Sequence, residues 1–173
     1  MIGSPGLPAN SPKREPGGDP NPGFIVVDAS VWVSRLVPKD VFHRTVKTWM
    51  EKQRSEGVIF LSPALLLPET AGAISRCTSD PRLARNAIDS LTHLPRLRLV
   101  ELDQPLIQDA ARLAANLGLH GTDSFYVAVA ARLNLPLVTL DGDQKTRAAS
   151  VVSVHSLEQE GLSKSHLLTS PKR

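Results

Sequence analysis

Four consecutive apolar residues, Phe24-Ile25-Val26-Val27, stop at a carboxylate, Asp28. A short continuous run rich in β-branched side chains has the look of a buried central strand. It also poses an electrostatic problem. A charge at the end of a fully buried strand needs a partner, and no basic residue lies beside Asp28 in the sequence.

The rest of the chain alternates between helical and strand patterns. A helix is expected over 29–36 and another over 43–55, where Val46, Trp49 and Met50 share helical spacing. Val58–Leu61 reads as a second strand. Ser62-Pro63 is expected to open a helix running on through Thr70–Cys77, with Pro68 marking a break or a new first turn. Further helices are expected over 83–94, over 105–117 with Gly118 as its C-cap, and over 122–133, the most apolar of them. Leu97–Glu101, Leu137–Leu140 and Val151–Val154 complete the strands. Strands separated by helices predict an α/β fold, a three-layer sandwich whose central, mostly parallel sheet carries helices on both faces. The sequence contains no internal repeat.

Residues 1–23 are rich in Pro, Gly, Ser and Asn and offer almost nothing to bury, so they read as a disordered leader, an expression remnant or an upstream start. Residues 163–173 read as a loose tail. One domain over 24–162 remains, long enough to bury a real core. Hydrophobic residues make up 41% and charged residues 21% of the 173-residue chain, ordinary values for a soluble protein. A lone cysteine, Cys77, excludes an internal disulfide, fits a reducing cytosol and reads as a core or boundary residue on a helix. No apolar run reaches the length of a membrane span, and the N-terminus lacks the pattern of a signal peptide. A cytoplasmic protein is expected.

The net charge of +3 arises at the ends. Lys13, Arg14, Glu15 and Asp19 cancel in the leader, whereas Lys164, Lys172 and Arg173 stand without acids in the tail. Removing these five bases and two acids from the totals of 20 and 17 leaves 15 of each sign in the domain. If several of those acids gather in one site, the remaining surface carries a basic excess, which suits a polyanionic substrate.

The positions of the acids support such a gathering. In an open parallel sheet, ligands bind beyond the carboxyl ends of the strands. Asp28 follows the first strand, Asp141 follows Leu137–Leu140, and Asp143 lies two residues further on. Asp123 lies at a helix start and Glu69 directly after Pro68. Each of the last two could simply complement a helix dipole, and Asp141-Gly142 is a good turn dipeptide. Taken together, the acids favour function. Carboxylates sharing a cleft repel one another unless cations neutralise them, and hard oxygen ligands select Mg²⁺ or Mn²⁺. Such a site can activate a water for in-line attack at phosphorus. Ser30 and Thr139 lie at the same edge and could orient a carboxylate, a water or a phosphate oxygen, or could satisfy local backbone.

Other chemistries find less support. His43, His93, His120, His155 and His166 show no metal-ligand spacing, and neither a Walker loop nor a dinucleotide fingerprint is present. An aromatic content of 4% argues against a base-stacking platform. Trp32 and Trp49, at helical positions among apolar neighbours, are expected in the core or an interface.

Four segments then match a known pattern in order. Val26-Val27-Asp28-Ala29-Ser30-Val31-Trp32 resembles the opening of PIN-domain proteins, particularly the VapC-type toxins of toxin–antitoxin pairs. Ser62-Pro63-Ala64 through Glu69 resembles their second motif, Gly121-Thr122-Asp123 with Tyr126-Val127-Ala128-Val129-Ala130 their third, and Leu137-Val138-Thr139-Leu140-Asp141-Gly142-Asp143 their fourth. The resemblance spans about Phe24 to Leu162. It implies a PIN fold and Mg²⁺- or Mn²⁺-dependent cleavage of RNA. Asp28, Glu69, Asp123 and Asp141 would be its metal-binding acids, with Asp143 an additional metal ligand. It further implies a homodimer and inhibition by a small antitoxin whose C-terminal segment covers the active site. The leader departs from the family, whose members usually begin almost at the first strand.

Two rivals remain. A phosphotransfer domain of the haloacid-dehalogenase kind would need a second Asp where Ser30 stands, and a receiver domain would need adjacent early acids and a late strand-end Lys. A non-catalytic PIN module that binds RNA or a protein partner would be marked by loss of acids, and all four are present.

Overall fold

The run Phe24–Val27 forms β1, the middle strand of a five-stranded sheet ordered β3-β2-β1-β4-β5. The structure, a computed structural model, describes residues 23–155 and Leu157. The leader (Gly23 apart), the tail and His166 lie outside the described residues. The elements after β1 are α1 (Ala29–Leu36), α2 (His43–Ser55), β2 (Ile59–Pro63), α3 (Leu66–Thr78), α4 (Pro81–Thr92) and β3 (Leu97–Val100). They continue with α5 (Gln104–Leu117), α6 (Asp123–Leu133), β4 (Leu137–Val138), α7 (Gly142–Ala148) and β5 (Val154–His155). All strand pairings are parallel. Because successive strand residues face opposite sides, Val26 and Val27, both fully buried, enter different cores. Val27 packs with Trp32, Val46, Trp49, Phe60, Leu66 and Leu91 from the β2 strand and the α1–α4 side. Val26 packs with Leu106, Tyr126, Val127 and Ala148 from the α5–α7 side. The expected three-layer arrangement is therefore the one observed.

Both tryptophans are core residues. Trp32 meets Phe60 edge-on, with ring centroids 5.7 Å apart, and Trp49 lies 5.9 Å from the same ring. Cys77 lies on α3 but is exposed.

Two readings at element boundaries differ from expectation, and a third holds. Ser62-Pro63 does not begin a helix but ends β2. There Ser62 Oγ donates to Val27 O at 2.6 Å and accepts from Trp32 Nε1 at 3.1 Å, so its hydroxyl is unavailable as a cap. Pro68 falls within the first turn of α3, the second of the two roles expected for it, where its missing N–H costs nothing. Asp141-Gly142 is not a bare turn but the start of α7. The last two strands are shorter than expected, and Val151 lies outside β5. Gly118, at φ 65°, closes α5 as expected.

The strand order creates the site. The chain builds outward from β1 through β2 to β3, then crosses back to lay β4 and β5 on the other side of β1. The order reverses between β1 and β4, and a crevice opens there beyond the carboxyl ends of the strands.

Candidate active site

Asp28 sits at that reversal. It is the N-cap of α1, extended in backbone, and only 5% exposed. Its partners are neutral donors. The Ser30 hydroxyl donates to Oδ2 at 2.6 Å, the Ser30 N–H at 3.0 Å and the Thr139 hydroxyl at 3.2 Å. Gln144 Nε2 reaches Oδ1 at 3.4 Å. Burial raises the Asp28 carboxyl above its ordinary value, against the pull of these hydrogen bonds. Ser30 and Thr139 thus orient the carboxylate, and they also tie together its surroundings. Ser30 Oγ accepts from Leu140 N–H at 3.1 Å and Thr139 Oγ1 from Asp141 N–H at 3.0 Å, which fixes the end of β4 to the start of α1.

The other acids arrive from three elements. Glu69, in the first turn of α3, accepts from the Tyr126 hydroxyl at 2.7 Å. Burial raises its carboxyl, the Tyr126 hydrogen bond and the nearby Thr122 hydroxyl lower it, and the Asp28 charge raises it again. Asp123, in the first turn of α6, is half-buried and pushed up to about 6, first by burial and then by the charges of Asp28 and Asp141. His120 partly offsets this, and Glu69 adds to it. Asp141 caps α7 by accepting from Gln144 N–H at 2.8 Å. Mutual repulsion therefore links Asp28, Glu69, Asp123 and Asp141 in one electrostatic neighbourhood. Asp143 stands apart. It is exposed and paired with Arg147 at 2.6 Å, and that pairing holds its carboxyl below the ordinary range, with a smaller contribution from His120.

A hard divalent cation fits this donor set in chemistry: oxygens only, a surplus of negative charge, and in Asp28, Glu69 and Asp123 carboxyls raised first by burial. Gln144 Oε1, buried beside Asp28, is also left without a hydrogen-bond partner among the described residues. No group of three acids, histidines or cysteines among the described residues is close enough to enclose an ion unaided. Direct protein ligands would be few and water would complete the shell, an arrangement Mg²⁺ tolerates well.

Two residues of the site were not anticipated. Tyr126 lies three positions after Asp123 on α6, fully buried, with its hydroxyl raised above its ordinary value by burial and by Glu69. Gln144 stands three positions after the N-cap Asp141, the spacing of a capping box. Its side chain instead bridges Asp28 and the Asp123 carbonyl, the latter at 3.3 Å. A cleft of about 600 Å³ opens beside the acids, lined by Ser30, Glu69 and Asp141 together with Phe42, Ala73 and Arg76.

Residues 25–149 match the PIN domain, and the chain belongs to that family. No curated protein sequence matches it. Among solved structures it resembles VapC20 of Mycobacterium tuberculosis, a sarcin–ricin loop cleaving toxin, at 22% identity and a TM-score of 0.63. That likeness covers 76% of this chain and 98% of VapC20. FitAcB from Neisseria gonorrhoeae is similar at 20% identity and a TM-score of 0.58, over 78% of this chain and 98% of the other. VapBC2 from Rickettsia felis, bound to a DNA fragment from its promoter, gives 12% and 0.58 over 77% and 98%. At these identities the likeness is one of fold.

Proposed function

We propose that the protein is a metal-dependent endoribonuclease, the toxin of a toxin–antitoxin pair, acting through Asp28, Glu69, Asp123 and Asp141. The observation that carries this reading is the buried Asp28 at the reversal point of a PIN fold, held by neutral donors and sharing its edge with three further acids, none of the four in an ion pair among the described residues. Mg²⁺ or Mn²⁺, when bound, would supply water activation and neutralise the charge that develops at phosphorus. Asp28 would be the principal ligand, because Ser30 and Thr139 fix its Oδ2 while Oδ1 meets only the long contact from Gln144. Asp123 and Asp141 would share the ion. Glu69, steadied by Tyr126, would hold a water or a second position of the ion. Asp143 would remain outside, engaged by Arg147.

RNA as substrate, a small co-encoded antitoxin whose C-terminal segment covers the cleft, a homodimer and a cytoplasmic location complete the reading. VapC20 cleaves the sarcin–ricin loop, and an RNA target of comparable fold is the natural first substrate to offer. No helix among the described residues is long and apolar enough to cross a membrane.

The test is cleavage of a panel of structured and unpaired RNAs by purified protein in Mg²⁺, Mn²⁺ or EDTA, beside Asp28→Asn and Asp123→Asn. Cleavage that needs metal and disappears in both variants is expected. Undiminished cutting by the variants would refute the assignment of the site. Binding without cutting by the intact, metal-loaded protein would favour a PIN module that only binds.

A further inference from the structure

We propose that Arg76 is a substrate-binding residue that grips an RNA phosphate flanking the scissile one, so that the strand enters the site along α3. The inference rests on the nuclease reading above and adds a residue to it. Gly72, Ala73 and Arg76 stand three, four and seven positions after Glu69, and the four therefore form one stripe on α3. Glu69, Ala73 and Arg76 all line the cleft, which places the stripe against it. The carboxylate is at the acid cluster and the guanidinium at the rim.

Among the described residues lining the cleft, Arg76 is the only lysine or arginine. It is exposed, and no ion pair among the described residues uses it. Arg82, Arg112, Arg132 and Arg147, by contrast, are each committed to an aspartate. The guanidinium also has a seat. A Cβ built on Gly72 would lie 3.0 Å from Arg76 Nη1, so the side chain folds back over the bare backbone of Gly72 toward the helix N-terminus and Glu69. Gly72 lies three residues from Glu69, which puts the cation about one helical turn from the acid cluster. A polyanion held near four carboxylates meets repulsion that the metal site relieves only locally. A positive charge one turn away relieves it for the neighbouring phosphate, and a guanidinium matches phosphate oxygens in geometry.

The experiment measures affinity for a fluorescein-labelled, unstructured RNA 12-mer across a salt series in Mg²⁺, in an Asp28→Asn background where the proposed reaction is silenced. Arg76→Ala should weaken binding about tenfold and reduce the magnitude of the log–log salt slope by about 0.7, the loss of one single-strand phosphate contact. Arg76→Lys should recover part of both. Gly72→Ala keeps the arginine but displaces its seat, and should fall between the parent and Arg76→Ala. In the cleaving protein, Arg76→Ala should raise KM with kcat within about twofold. Unchanged affinity and salt slope in Arg76→Ala would overturn the proposal, as would a loss confined to kcat. Arg76-dependent binding in this background, beside a protein with Asp28 intact that never cuts, would support the contact while refuting the nuclease. Absence of RNA binding both in this background and in the protein with Asp28 intact would overturn both.

Discussion

Neutralising Asp123 should stabilise the metal-free protein. Its carboxyl is pushed up to about 6 by burial and by the charges of Asp28 and Asp141. A rise of about two units from the ordinary aspartate value corresponds to roughly 3 kcal/mol at full weight. The side chain is half-exposed, so solvent screening reduces this to about 1.5 kcal/mol. Loss of an acid from the first turn of α6 costs about 0.5 kcal/mol of dipole complementarity. Asp123→Asn should therefore gain about 1 kcal/mol, seen as a rise of about 2–4 °C in Tm for a chain of this size. The sign depends on pH. The folded-state pKa lies above the unfolded one, so the penalty is absent below about pH 4, grows through pH 4–6 and is complete above about pH 6. Thermal melts in EDTA at pH 4.5 and 7.5 should show the variant ahead at 7.5 and the gap narrowed at 4.5. Mg²⁺ at ten times its dissociation constant should then stabilise the parent by about 1.4 kcal/mol and the variant far less. A variant less stable than its parent in EDTA at pH 7.5, or a gap independent of pH, would refute the reasoning.

Tyr126→Phe removes the hydrogen bond that lowers the Glu69 carboxyl, so the acidic limb of the pH–rate profile should move to higher pH, with metal affinity reduced about tenfold. Gln144→Ala deletes a buried bridge between Asp28 and α6 and should cost about 1–2 kcal/mol in urea unfolding. Trp32→Ala opens the core beside Phe60 and should cost about 3–5 kcal/mol by the same method. Asp143→Asn should leave cleavage within about threefold, because the carboxylate serves Arg147, whereas Asp141→Asn should reduce it at least tenfold.

The parts of this account that could be read from sequence are those where pattern and physics coincide. The apolar, β-branched run before Asp28 has the look of a buried strand, and the unpaired charge at its end calls for a partner. That the donors would be Ser30 and Thr139, at the same sheet edge, was open from the residues alone. Helix α7 escaped notice because it buries only Gln144 and Ala148, too few for a visible apolar period. Ser62-Pro63 imitates a helix start, since Ser and Pro favour the cap and first-turn positions. Only the three-dimensional packing shows that the Ser62 hydroxyl is already shared between Val27 and Trp32. Tyr126 and Gln144 were hidden for a related reason. Each occupies a position that a core or a cap would fill equally well, and its polar atom acquires a role only once α3 or β1 is brought alongside.

The central claim, hydrolysis by a water activated within the carboxylate cluster, is tested most directly by the ends of the product RNA. A cleaved substrate would be remade with a 2′-deoxynucleotide 5′ to the cut and digested in Mg²⁺. A metal-activated water attacks phosphorus without help from the neighbouring 2′-hydroxyl, so removing that hydroxyl separates hydrolysis from internal transesterification. With water as the nucleophile, the deoxy substrate is still cut and no 2′,3′-cyclic phosphate forms. Loss of cutting on that substrate, with cyclic phosphate ends on the natural one and activity persisting in EDTA, would contradict the central claim.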